Sequence, residues 1–266
     1  MKQLIVTADD VGLHRGMTAG AIRAHEQGIV TACSIVANGR AFDDAVARLR
    51  DLPSLEVGVH LALVEEQSLT GLALPKGYSS FAPRYALRSL PLAAIARELR
   101  AQVERVAATG LRITHLNGHQ HLHLLPRIFD LVLELASEFA IPYVRIVDEA
   151  GGHGSFARRA AVGALSAFGR RARARATLAR PDRTIGIVEA GHLTADRLLA
   201  LFAHVDGTTE LVTHPGLGVD SYDWGYAWEE ETRALCDPRL RAALAAQGIA
   251  RISPSALGAG CVSAAT

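Results

Sequence analysis

Asp9 and Asp10 follow directly on the apolar run LIVTA, so two neighbouring carboxylates stand at the exit of a buried strand. Adjacent residues there leave in different directions, which lets one carboxylate bind a cation while the other faces a water or a substrate. A local reading competes: Asp-Asp ahead of Val11-Gly12 also suits a turn and the cap of a helix starting near Arg15. His60 closes the alternating run LEVGVH, where a histidine is equally at home as a core or rim residue. The segment THLNGHQHLHLLP differs in kind. His115, His119, His121 and His123 fall within nine residues of one another, a density that packing does not call for. Imidazole together with carboxylate suits a divalent ion such as Zn²⁺, and a catalytic site takes three protein ligands and leaves a position for water. Asp10, His60 and one histidine of the cluster make up such a set. ELVTHPG places His214 at another strand exit, with Pro215 and Gly216 fixing the turn behind it. It is either a turn residue or a general acid, since imidazole can protonate a leaving amine near neutral pH. Arg145, in PYVRIV, ends yet another strand and can hold Asp9 ionised through a paired hydrogen bond.

These residues need elements to position them. Runs rich in β-branched residues recur at Leu4–Thr7, Ser34–Ala37, Val57–Leu61, Arg112–Leu116, Tyr143–Val147, Thr184–Val188, Glu210–Thr213 and Ile249–Ile252. Helical patterns lie between them near 15–28, 41–51, 91–109, 126–139, 156–178, 194–204 and 228–246. The alternation predicts an α/β fold with a parallel sheet, either a doubly wound open sheet or a closed or nearly closed (β/α) barrel of the TIM type with seven or eight strands. The polar clusters favour the barrel, because they sit at the carboxyl ends of several strands. No linker or internal repeat breaks the pattern, so residues 1–266 read as a single domain with an insertion at about 64–89, a substrate lid or an ordered surface loop. The arginine-rich stretch from Arg158 to Arg180 reads as a solvated helix face, with contact to anionic lipid or a phosphate-bearing substrate as the sharper alternative.

Composition narrows the function classes. The 266 residues are 49% hydrophobic with a formal charge of +1, which supports a sizeable core and gives no field for nucleic acid. The opening MKQLIVTADD lacks the apolar stretch of a secretory signal, and no window approaches the roughly 20 apolar residues of a membrane span, so a cytoplasmic location is expected. Cys33, Cys236 and Cys261 are distant and odd in number and read as free thiols.

Taken in order, the carboxylate pair, strand-end histidine, histidine cluster, arginine and His-Pro-Gly resemble the YdjC-like family, which includes chitooligosaccharide deacetylases and hopanoid-pathway members. TADDVG at 7–12 is similar to the family's opening signature, with Val11 where phenylalanine is usual. GIVTACSIVANG at 28–39 and VGVHLAL at 57–63 look like two further family stretches, and the resemblance runs from about residue 3 to 255. It implies Asp10, His60 and His119 as metal ligands, Asp9 as the base, and His214 as the family's late histidine. His115, Asn117, His121 and His123 then remain for substrate contacts or for orienting the ligands. The family's cluster normally carries aspartate where this chain has Asn117, which keeps an acceptor but removes a charge. The resemblance implies a (β/α) barrel, one divalent ion, Zn²⁺ or Mg²⁺, and an N-acetylated sugar or glycoconjugate as substrate. The rival readings are a hydrolase of a non-sugar amide or a phosphoester on the same barrel, and a barrel that binds sugar or metal without turnover. A homodimer is the base-rate assembly.

Overall fold

In the computed structural model the described residues are 1–149, 152–176 and 178–261, the side chains after residue 257 excepted. Strand β1 (Lys2–Val11) is buried from Leu4 onward and forms the centre of the sheet. One edge pairs with β7 (Thr208–Thr213) from Gln3↔Thr208 to Ala8↔Thr213. The other edge is divided. Its lower end takes β8 (Ile249–Arg251), and its upper end takes β2 (Ala32–Ile35). Parallel pairing continues through β3 (Glu56–Leu61), β4 (Ile113–Gly118) and β5 (Tyr143–Val144) on one side and β6 (Arg183–Ile185) on the other, in the order β5-β4-β3-β2-β1-β7-β6. The free edges of this curled sheet meet through single bridges, Tyr143↔Ala179 and Glu149↔Thr184. Seven strands thus run round the sheet in one path and β8 is a short eighth paired to the lower end of β1, within the seven or eight strands expected from the strand–helix alternation.

The helices cover the outside. α1 (Arg15–Glu26) and α2 (Phe42–Arg50) follow β1 and β2. α3 (Tyr78–Ala86) lies in the insertion, a stretch that carries no helical pattern obvious in sequence. α4 (Leu92–Ala107) buries Ile95, Leu99, Val103 and Val106, the three- and four-residue spacing of an amphipathic helix against a sheet. α5 (Pro126–Glu138) does the same with Ile128, Phe129, Val132 and Leu135, and Pro126 at its first turn costs no hydrogen bond. α6 (Phe156–Arg173) and α7 (Ala195–Leu201) follow, and the single helix expected over 228–246 is two, α8 (Trp228–Leu235) and α9 (Pro238–Ala246). The break has a local cause: Pro238 cannot continue a helix, and Asp237 caps the new one by accepting from the Arg239 backbone N–H. α10 (Pro254–Cys261) closes the described chain.

Three details matter for the site. Ala8 faces Cys33 and Val11 faces Ile35, so β1 spends three steps where β2 spends two; the bulge falls on Asp9 and Asp10, and Asp10 has a left-handed φ of 64°. α1 lies tight on the His214 turn, where a Cβ at Gly16 would stand 2.0 Å from the Leu217 carbonyl oxygen and one at Gly20 2.4 Å from the Gly216 nitrogen. The insertion is pinned by Glu98 of α4, a fully buried carboxylate that accepts from the backbone N–H groups of Leu69 and Thr70 and from the Thr70 hydroxyl.

Arginines of the 158–180 stretch pair with acids beside them: Arg170 with Asp148 at 3.1 Å, and Arg175 with Asp130. Cys33 and Cys236 are free thiols, and the Cys261 side chain lies outside the described residues. No described helix is long and apolar enough to cross a membrane.

Candidate metal and catalytic site

The bulge in β1 turns Asp10 toward the mouth of the barrel, where it meets His60 from the end of β3 and His119 from the turn after β4. The His119 Nδ1 is 2.9 Å from Asp10 Oδ1, and the His60 Nε2 is 3.3 Å from the same oxygen. Among the described residues these three make a buried group whose donor atoms lie within 4.8 Å of one another. Burial alone would raise the Asp10 pKa and lower that of His119. The carboxylate and the imidazoles reverse both, holding Asp10 well below the usual carboxylate range and, with Glu65, lifting His119 to about 10. The field at this point thus favours positive charge. Two imidazoles and a carboxylate are also a donor set for a divalent ion, so the residues fit such an ion in both chemistry and electrostatics.

Asp9 goes the other way, into the barrel. Arg145, wholly buried, donates to Asp9 Oδ2 at 2.5 Å and to Asp9 Oδ1 at 2.9 Å. The same guanidinium donates to Glu210 Oε1 through Nε at 2.9 Å and through a terminal nitrogen at 2.8 Å. The hydroxyls of Tyr143 and Thr7 satisfy Glu210 further, each at 2.8 Å. Burial opposes the charge on Asp9, yet Arg145 and, more weakly, the nearby histidines hold its pKa far below the ordinary value. The paired hydrogen bond expected between Arg145 and Asp9 is present.

The rest of the histidine-rich segment divides into distinct jobs. Asn117 accepts from His60 Nδ1 at 2.7 Å, and its amide donates to Asp9 Oδ1 at 3.2 Å and Ser34 Oγ at 2.7 Å. It thus fixes the His60 tautomer with Nε2 free toward Asp10. His115 is fully buried, bonded through its two nitrogens to Ser34 and Thr114, and desolvation takes its pKa down to about 3. It packs where a Cβ on Gly58 would be, 2.2 Å from the ring, and so supports β3 from behind. His123 donates Nε2–H to the Arg145 carbonyl at 2.9 Å and is likewise held neutral by burial. His121 lines the cavity, and its Nδ1 has no hydrogen-bond partner among the described residues. Of the four, His121 alone opens on the cavity; Asn117, His115 and His123 brace what surrounds it.

His214 faces the triad from the end of β7, with Nε2 4.0 Å from Asp10 Oδ2. Burial lowers its pKa, only partly offset by Asp10 and Asp9. Its backbone N–H donates to Glu231 Oε1 at 2.6 Å.

Sequence reasoning missed several residues that shape this site. Glu65 accepts from His119 Nε2 at 3.1 Å. Glu210 shares Arg145 with Asp9 from inside β7, where a strand residue carries no signal of its role. The stretch DSYDWGYAW offered a signal, aromatics at every second position, and Trp224 and Tyr226 line the cavity, Trp224 with its ring centroid 5.4 Å from that of His119. The cavity is about 490 Å³ in volume. Its opposite wall is the apolar face of α6, including Val162, Leu165 and Phe168.

The model of the family described as YdjC-like protein matches residues 3–246. The chain belongs to that family. A carbohydrate deacetylase of Brevibacillus brevis is 37% identical to this YdjC-like chain over 144 residues, 53% of the chain and 58% of that protein. A carbohydrate deacetylase of Oceanobacillus iheyensis is 35% identical over 148 residues, 54% of the chain and 64% of that protein. The matches therefore span less than two thirds of either relative's length. Among solved structures, a cellobiose-phosphate cleavage protein candidate of Enterococcus faecalis V583 superposes with a TM-score of 0.73 at 20% identity, covering 96% of this chain and 98% of the other. At that identity the likeness is one of fold.

Proposed function

We propose that this protein is a hydrolase dependent on one divalent metal ion that removes the N-acetyl group from an amino sugar or a sugar conjugate. The observation that carries the reading is the placement of two adjacent aspartates in different settings: Asp10 with His60 and His119 as the metal set, and Asp9 held ionised beside them by Arg145. The names of the two curated relatives support the same reaction class. Two imidazoles in the set favour Zn²⁺, with Mg²⁺ the alternative for a site completed by waters. Bound there, the ion supplies Lewis acidity to an amide carbonyl and lowers the pKa of a water.

The chain's own residues supply the proton transfers. Asp9 accepts a proton from the attacking water. Arg145 lowers its basicity, and in return keeps the carboxylate ionised and aimed at every working pH. His214, across the triad from Asp9, donates to the leaving nitrogen; burial favours its neutral ring, so a proton it carries is given up readily. Trp224 and Tyr226 offer flat faces to a sugar ring.

A phosphoester substrate fits less well. It calls for a cation at the reacting atoms; Arg145 is fully buried and spent on two carboxylates, and Arg158, which lines the cavity from α6, donates to the Ala190 carbonyl. The deciding experiment is acetate release from N-acetylated monosaccharides, chitooligomers and glycolipids, with the protein stripped by chelator and reloaded with single metals. Metal-dependent release from any member upholds the reading. Silence across the panel, with metal shown to bind, overturns it in favour of a non-sugar amide, a phosphoester or a barrel that binds without turnover.

A further inference from the structure

The two imidazoles of the triad present different nitrogens to Asp10, His60 its Nε2 and His119 its Nδ1. A neutral imidazole carries one N–H, and when one nitrogen gives its lone pair to a cation the other must hold the proton. In a buried site that N–H needs an acceptor. For His60 the acceptor is the Asn117 carbonyl on β4, at 2.7 Å. For His119 it comes from elsewhere in the chain: Glu65 Oε2, 3.1 Å from His119 Nε2, on the first turn of the insertion that follows β3.

Glu65 is held for this task from three directions. Its backbone takes a left-handed φ of 71°, unusual for a residue with a side chain. Its backbone N–H donates to the Pro75 carbonyl at 2.9 Å, which closes the insertion upon itself. Its second carboxylate oxygen accepts from the Gln120 side chain at 2.6 Å, and Gln120 stands beside His119 on a turn where Gln120 and His121 also have left-handed φ. Further along, Glu98 ties Leu69 and Thr70 to α4. The base of the insertion is thus a braced arm with a carboxylate at its tip.

We propose that Glu65 is a positioning residue for the metal: it fixes the tautomer and the ring plane of His119, and through it the insertion at 64–89 becomes part of the metal site as well as part of the cavity rim. The inference rests on reading Asp10, His60 and His119 as the ligands. Carboxylates that receive the outer N–H of a ligating imidazole raise its strength as a donor, and their loss typically costs about 10- to 100-fold in metal affinity. Glu65 offers His119 a carboxylate where Asn117 offers His60 an amide carbonyl, so the two rings are polarised by acceptors of different kinds.

The test is calorimetric titration of the chelator-stripped protein with Zn²⁺, paired with thermal unfolding in chelator and in Zn²⁺. Glu65→Ala is expected to weaken Zn²⁺ about 10- to 100-fold and to shrink the Zn²⁺-induced rise in Tm, while unfolding in chelator stays near wild type. Glu65→Gln, whose carbonyl still accepts from His119, should recover part of the loss. Unchanged affinity in Glu65→Ala overturns the proposal, and so does a Glu65→Gln variant as weak as the alanine one, which would mark Glu65 as a direct ligand. A Tm in chelator that falls with no change in affinity would leave Glu65 a merely structural residue and overturn it equally. Asp10→Asn separates this from the reading beneath it: if that variant keeps its affinity the ligand set itself is wrong, whereas loss in Asp10→Asn with none in Glu65→Ala removes Glu65 alone.

Discussion

Asp9 and Asp10 differ by one position in sequence and by their whole surroundings in space. Asp9 receives two hydrogen bonds from Arg145 and one from Asn117, and Arg145 in turn is shared with Glu210, which Tyr143 and Thr7 satisfy. Among the described residues the Asp10 carboxylate is met by histidines, His119 at 2.9 Å and His60 at 3.3 Å, with His214 at 4.0 Å. Both carboxylates are held ionised, but by cations of different kinds. An arginine is always charged and its fork fits one carboxylate rigidly. A histidine can give up its proton and offer the lone pair to a metal instead. The bulge at Ala8–Val11 therefore separates a framework charge, whose partners are fixed, from a charge whose partners can change state.

The comparison breaks most visibly at Arg145. Arg145→Ala leaves Asp9 and Glu210 buried without a cation, and about 3–5 kcal/mol of stability should be lost in chemical denaturation under chelator. Asp10→Asn should cost less than Arg145→Ala in the same measurement, because His119 can give up its proton once the carboxylate is gone and asparagine tolerates the left-handed backbone. Equal losses from the two would erase the distinction between framework and exchangeable charge. Asp9→Asn addresses the chemistry. It keeps the shape of the side chain but accepts no proton, and the rate of acetate release should fall about 10²–10⁴-fold with Zn²⁺ affinity within a few-fold of wild type. An Asp9→Asn enzyme of full activity would take Asp9 out of the reaction.

Much of this was legible in the chain before any coordinate. The eight strand runs all stand within a few residues of the expected places, because each is an apolar, β-branched stretch bounded by turn residues. The triad was legible because histidines at strand ends are rare enough to be noticed, and Arg145 because a charged residue in an apolar run needs a partner. What stayed hidden depends on distance in sequence or on backbone detail. Glu210 and Glu65 are ordinary acids in their own segments, and only the ring closure brings them to Arg145 and His119. The left-handed Asp10 arises from a register mismatch between β1 and β2, which no single strand reveals. The break at Pro238 carries its own sequence signal, a capping aspartate followed by proline, set within an apolar period that runs on through it.

Asn117 joins the two regions, since it accepts from His60 and donates to Asp9. Asn117→Asp sets a second carboxylate at the place of an amide 3.2 Å from Asp9 Oδ1. Two carboxylates that close share a proton, so one of them takes a raised pKa. A raised carboxylate pKa favours the fold at low pH and loses that contribution as pH rises. The variant should therefore lie about 1–3 kcal/mol below wild type at pH 8 and recover toward pH 5, in urea unfolding under chelator. A deficit that does not change with pH would mean that Arg145 and His60 absorb the added charge.

The smallest effect belongs to Glu231, on the far side of His214. It is fully buried at the start of α8, accepts from the His214 backbone N–H at 2.6 Å, and has a second oxygen with no hydrogen-bond partner among the described residues. Burial pushes its pKa up to about 7, against backbone donors that pull it down. The folded state thus binds this proton more tightly than the unfolded chain, where the ordinary value is 4.5. The stabilisation is complete below about pH 4.5 and is lost as pH rises toward 7. Glu231→Gln is neutral at every pH and keeps the bond to His214, so its stability should decline less between pH 5 and pH 8, by a margin on the order of 1 kcal/mol. Glu149, also raised to about 7 by burial, remains in both proteins and keeps part of the slope. Parallel curves for wild type and Glu231→Gln would show that Glu231 stays ionised, and that the His214 turn is held by a charged hydrogen bond after all.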